Sequence, residues 1–151
     1  MNRPKAIGTR GESAVVRFLR TAGWPSAERR ALHGAKDRGD ITGCPGVCWS
    51  VKAGAYAKVA SDLDVETWLD ELDVQRQHAG AQVGILVLQR RGIGEANAGR
   101  WWAIMPGYRY EELCSLGALP QFGSADPVRV HLAHACRLLV YDGYGSKEVA
   151  A

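Results

Sequence analysis

RGDITGCPGVCWSVKAG, residues 38–54, is the stretch that decides how this chain folds. Val47 to Val51 form a short, mostly apolar run of the kind that fills a buried strand. The Gly43-Cys-Pro-Gly46 segment before it reads as a turn, so Gly39 to Thr42 should return along that strand as an antiparallel neighbour. Asp40 opens one strand and Lys52 ends the other, twelve residues later. Antiparallel pairing places both at the same end of the sheet.

Upstream, Ala14, Val15, Phe18, Leu19 and Ala22 recur at three-to-four spacing, which predicts an amphipathic helix over Gly8 to Ala22, stopped by Gly23-Trp24-Pro25. Positions 12, 15, 16 and 19 share one side of a 3.6-residue spiral, so Glu12 sits at the edge of the apolar stripe and faces the body of the protein. Residues 26–32 fit a first strand and 34–39 a polar loop. Downstream, Leu63 to Ala79 predicts a second helix. Asp62 is its expected cap, Leu63, Trp68, Leu69 and Leu72 form its apolar side, and Gly80 lies beyond its end. Val83 to Leu88 is the clearest strand; Arg100 to Met105 is another, and Tyr108 to Leu116 a short helix. Val128 to Tyr141 is apolar and fits either strand or helix. This order implies an α/β domain, a mixed sheet flanked by helices.

The 151 residues suit one domain, and 46% hydrophobic with 23% charged residues is the balance of a folded soluble protein. No apolar run approaches the roughly 18 residues that span a bilayer, and MNRPKAIGTRGE lacks the apolar core of a secretory signal, so a cytoplasmic location is expected. Cys44, Cys48, Cys114 and Cys136 are expected as reduced thiols. No second pair accompanies Cys44 and Cys48 at zinc-ligand spacing. The net charge of +3 hides an asymmetry: residues 1–60 hold eleven Lys and Arg against four Asp and Glu, and the remainder eight against twelve. The first part thus has the balance of a surface that meets a polyanion.

Glu12, Asp40, Lys52 and Glu66 can be gathered by two helices and the strand ends. Clustered carboxylates repel, and a divalent cation relieves that repulsion. Hard oxygen ligands suit Mg2+ or Mn2+, and a neighbouring ammonium can orient the attacking water and offset phosphate charge. Metal-assisted phosphodiester hydrolysis fits the set. Competing motifs fail: Gly92-Ile-Gly94 with Gly99 lacks dinucleotide-loop spacing, no lysine follows a glycine run as in a phosphate-binding loop, and Ser50 with His33 or His78 lacks a nucleophile elbow. No nucleotide cofactor is expected. Trp101-Trp102 reads as half core, half surface or dimer contact.

Gly8-Thr-Arg-Gly-Glu12 opening a helix, Arg38-Gly-Asp40-Ile41, and Trp49-Ser-Val-Lys52 ending a strand resemble the PD-(D/E)xK nuclease superfamily. Within it the likeness is closest to archaeal and phage Holliday-junction resolvases, over roughly residues 5–105. The acidic, tryptophan-bearing stretch Glu66-Thr-Trp68-Leu-Asp-Glu71, followed by a Val-Gly strand, extends the likeness to phage members. The resemblance implies a restriction-endonuclease-like fold with an α-β-β-β-α-β-β core, and a single nuclease domain with residues 106–151 as an extension of unknown role. It implies Glu12, Asp40 and Lys52 as catalytic residues and the Val51 carbonyl as a further metal ligand. Ser50 departs from the pattern, which has glutamate there. Some type II restriction enzymes of the superfamily have S-x-K and supply the carboxylate from the following helix. By that likeness Glu66 is expected to replace it, with Asp62, Asp64, Asp70, Glu71 and Asp73 as alternatives. The implied activity is Mg2+- or Mn2+-dependent resolution of branched DNA by a homodimer, with Arg10, Arg29, Arg30, Lys36 and Arg38 as phosphate contacts. A restriction-like or repair nuclease on duplex DNA and a catalytically inactive DNA-binding protein are the alternatives.

Overall fold

The computed structural model describes residues 3–31, 34–114 and 124–150. Helix α1 (Arg3–Ala22) is followed by strands β1 (Glu28–Arg29) and β2 (Ile41–Thr42), which pair antiparallel. Strand β3 (Val47–Lys52), a short helix α2 (Ala55–Lys58) and the long helix α3 (Asp62–Ala79) lead to β4 (Val83–Leu88). A 3-10 turn (Glu95–Arg100) precedes β5 (Trp102–Pro106), α4 (Gly107–Cys114), β6 (Pro127–His131), α5 (Leu132–Tyr141) and α6 (Lys147–Ala150).

The main sheet has the order β3-β4-β5-β6. β3 and β4 run parallel, as a helical crossover through α3 requires, and the other two pairings are antiparallel. Val47 to Val51 are buried without alternation because helices cover both faces of β3. On one face, Val15 and Leu19 of α1 and Leu132 and Leu139 of α5 pack with Trp24, Trp49 and Trp101. On the other, Val65 and Leu72 of α3 cover Cys48, Leu86 and Leu88. The result is a mixed α/β architecture.

Several boundaries depart from the sequence reading. The first strand shrinks from 26–32 to two residues, with residues 32–33 outside the described residues. β2 begins at Ile41 and pairs with β1 in a sheet of its own, not with β3 as the turn at Gly43–Gly46 predicts, because among the described residues only the Asp40 N–H reaches across to a β3 carbonyl. Helix α1 starts at Arg3, five residues before Gly8. The cap of α3 is Ser61, not Asp62: its hydroxyl accepts from the Asp64 N–H, and the Asp64 carboxylate accepts from the Ser61 N–H. Gly80 closes that helix at φ 65°, as expected. Leu63, expected on the packed side, is 71% exposed because Val65 and Leu72 centre the buried stripe. Residues 115–116 of the expected short helix lie outside the described residues. The Val128–Tyr141 ambiguity resolves as both elements: β6 ends at His131 and α5 begins at Leu132. Residues 127–141 thus complete the same sheet and the same core. Among the described residues no helix is long and apolar enough to cross a membrane.

Candidate active site

Two close approaches bring the site together. At Gly39 the chain adopts φ +89°, and a Cβ there would lie 2.8 Å from the Trp49 carbonyl oxygen, so only glycine lets the segment lie this close to β3. The next residue, Asp40, donates its N–H to that carbonyl at 2.8 Å, and its own carbonyl accepts from the Arg30 N–H. On the other flank α1 meets the end of β3 at Gly11, where a Cβ would fall within clashing distance of the Ala53 side chain. That contact sets Glu12 close enough to Asp40 for its charge to act on it.

The Asp40 carboxylate is largely withdrawn from water. Its Oδ2 accepts from the Val51 N–H at 2.7 Å. Burial pushes its pKa up to about 6; the Val51 N–H and the Lys52 ammonium pull it down, and the Glu12 and Asp37 carboxylates add to the rise. A strand residue's N–H and C=O point to the same edge, so the Val51 carbonyl also faces Asp40. The Lys52 carbonyl points to the opposite edge, where it accepts from the Gln89 N–H at 2.9 Å. Lys52 therefore ends β3 with its ammonium 5.5 Å from the centroid of the Trp68 ring, and the Tyr56 ring meets Trp68 edge-on at 5.9 Å. The Tyr56 hydroxyl is raised in pKa by burial and by the negative charge of Asp40 and Glu12, which places it in the same neighbourhood. Glu12 accepts from Arg29 Nε at 3.0 Å.

Glu66 is not brought to this group. Trp68 and Gln75 mark the flank of α3 that faces Lys52 and Asp37, since Gln75 Nε2 donates to Asp37 Oδ2 at 2.8 Å. At 100° per residue Glu66 lies nearly opposite Trp68. It borders instead a cleft with Asp70, Asp73, Tyr108 and Arg109. Leu63, which lies on the same side of α3 three residues before Glu66, is 71% exposed. Ser50, at the position of the missing carboxylate, is 3% exposed. Among the described residues no group of three or more His, Cys, Asp or Glu side chains forms a cation cage. Asp40, Glu12 and the Val51 carbonyl nevertheless match Mg2+ or Mn2+, which bind through one or two carboxylates and leave the remaining positions to water and phosphate.

The five basic candidates divide. Arg29 is engaged with Glu12, and Arg10 lies 3.3 Å from Glu95. Arg30, Lys36 and Arg38 line a groove along the loop that leads into Asp40. Two positioning residues were not singled out in the sequence. Asp37 binds the Gly39 N–H through Oδ1 and Gln75 through Oδ2, and its carbonyl lies 2.9 Å from His78 Nδ1, so it ties the loop to α3. Gln89 is buried and accepts from the Gly54 N–H through Oε1 at 2.9 Å, which fixes the turn after Lys52. A polar amide closing an apolar strand was the available signal for Gln89; nothing in the sequence separates Asp37 from an ordinary loop acid. All four cysteines are free, and burial raises the Cys44 and Cys48 thiols to about 11, which leaves them unreactive.

The chain matches no family model, no curated protein and no solved structure.

Proposed function

We propose that this protein is a metal-dependent endodeoxyribonuclease of the PD-(D/E)xK type, with a restriction-endonuclease-like fold, that resolves four-way DNA junctions. The observation that carries the reading is Asp40: a half-buried carboxylate held by the strand that ends in Lys52, with Glu12 beside it. The helix, three-strand, helix, strand order with β3 parallel to β4 supports the same reading. So does the basic groove at Arg30, Lys36 and Arg38.

Asp40, the Val51 carbonyl and Glu12 are the residues suited to hold Mg2+ or Mn2+; Glu66 has no part in it. Bound there, the cation would supply an acidified water and neutralise charge on the phosphate. Lys52 directs its ammonium at the incoming water and offsets the charge that builds on phosphorus. The Trp68 ring lies under the Lys52 ammonium, and the Tyr56 ring packs edge-on against Trp68. Loop residues Lys36 and Arg38 bind phosphates on either side of the scissile bond, reading backbone and not base sequence. A four-way junction has near two-fold symmetry, and a homodimer would present two sites in that relation.

Purified protein with Mg2+ should nick a synthetic four-way junction. Asp40→Asn should abolish nicking and leave junction binding intact. Equal cleavage of linear duplex would move the substrate to duplex DNA. Binding without cleavage of either would select a catalytically inactive DNA-binding protein, the reading that the burial of Ser50 favours.

A further inference from the structure

The register of the main sheet sets one row of side chains across its α3-facing side. Lys52 pairs with Leu88, Leu88 with Trp102, and Trp102 with His131. Register partners point to the same face, and neighbouring strands lie about 4.8 Å apart. Trp102 is therefore about 10 Å from Lys52 along the row, and His131 about 14 Å.

Helix α3 packs over β3 and β4, and beyond it the row ends in a cationic cluster. Arg90 lies over the Trp102 ring at 4.3 Å from its centroid, and Arg129 approaches the same ring at 5.6 Å. Arg90 Nη1 is 3.0 Å from His131 Nε2 and 3.5 Å from the Arg100 carbonyl. Arg129 and His131 are exposed and Trp102 is partly so. Among the described residues neither Arg90 nor Arg129 pairs with a carboxylate, whereas Arg10, Arg29, Arg76 and Arg109 each do. Two guanidinium groups held on one indole repel each other, and a polyanion relieves that repulsion.

We infer that the Arg90–Trp102–Arg129 cluster is a second DNA-backbone contact, on the same face as Lys52, that holds the strand about three nucleotides from the scissile phosphate at the 3.4 Å rise of a B-form strand. This rests on the nuclease reading for the place of the scissile phosphate. The contact itself needs only a polyanion. The indole spaces and orients the two guanidinium groups, which meet successive phosphates.

The test is equilibrium binding of a four-way junction and a linear duplex in EDTA over a salt series, with nicking in Mg2+ measured separately. Replacing Arg90 and Arg129 together by Gln should weaken binding roughly tenfold per guanidinium. It should also lower the slope of log K against log salt by about 1.8. Arg90→Lys with Arg129→Lys should keep most of the slope, because the charge remains, and Arg137→Gln on α5 should leave both quantities unchanged. Unchanged affinity and slope in the Gln variant would overturn the inference, even where the wild type nicks junctions. Loss of slope in a protein that never nicks would uphold the contact and sink the nuclease reading. A lost slope in the Lys pair as well would assign the cluster to packing and overturn the inference.

Discussion

Asp40 holds its proton more tightly folded than unfolded. Its pKa is about 6 against an ordinary 3.8, so between those values the native state carries a proton that the unfolded chain has released. Stability therefore falls as pH rises through that window, by up to ~3 kcal/mol at about 1.36 kcal/mol per unit. Asp40→Asn removes the buried charge. In EDTA the variant should be more stable than the wild type at pH 8, and the difference should vanish near pH 4, as read by denaturant unfolding. A variant less stable at pH 8 would contradict the burial account. Since a cation competes with that proton, Mn2+ affinity measured by calorimetry should rise with pH up to about 6 and level off above it. Glu66→Gln should leave that affinity unchanged, because the side chain lies on the far flank of α3.

Whole elements carry the site to its place, and their contacts fail in different ways. α1 reaches β3 only because residue 11 lacks a side chain. Gly11→Ala should push the helix away, move Glu12, and reduce nicking far more than DNA binding; equal losses of both would point to general unfolding instead. Removing the cap of α3 by Ser61→Ala should cost about 1 kcal/mol in a thermal melt without touching Asp40, Glu12 or Lys52. The helices α1 and α3 and the strand Val83–Leu88 were legible from periodicity, because each buries a stripe of side chains at its own period. The two-residue pairing of β1 with β2 was not, since one hydrogen-bonded step leaves no periodic trace. The place of Glu66, on the flank of α3 away from Trp68, was hidden for a similar reason: two acids on one helix differ only in rotation, and the packed stripe that fixes rotation is set by the sheet.

For the molecule as a whole, the C-terminal third is part of the core. α5 buries Leu132, Ala135, Cys136, Leu139 and Val140 against the layer that holds Trp24 and Trp101. Leu139→Ala should destabilise the protein by about 2–5 kcal/mol, as a core truncation that leaves a cavity does. A chain ending at residue 106 should fail to melt cooperatively; a sharp transition from that fragment would contradict the shared core. Its apolar character was visible in the sequence. Its partner was not, because an apolar run records how much surface must be buried and nothing about where.

The sequence by itself determined that α1, α3 and the strand Val83–Leu88 would form, that Asp40 and Lys52 come to neighbouring segments, and that positive charge gathers in the first sixty residues. Periodicity, turn chemistry and charge act over a few neighbouring residues and survive in the order of letters. Only the tertiary structure decided that Asp40 is half-buried, that Glu66 stands apart from it, that Asp37 and Gln89 brace the loop and the turn around it, and that Lys52 shares a face with Arg90 and Arg129. Those facts depend on sheet register and helix rotation, which packing between distant segments fixes.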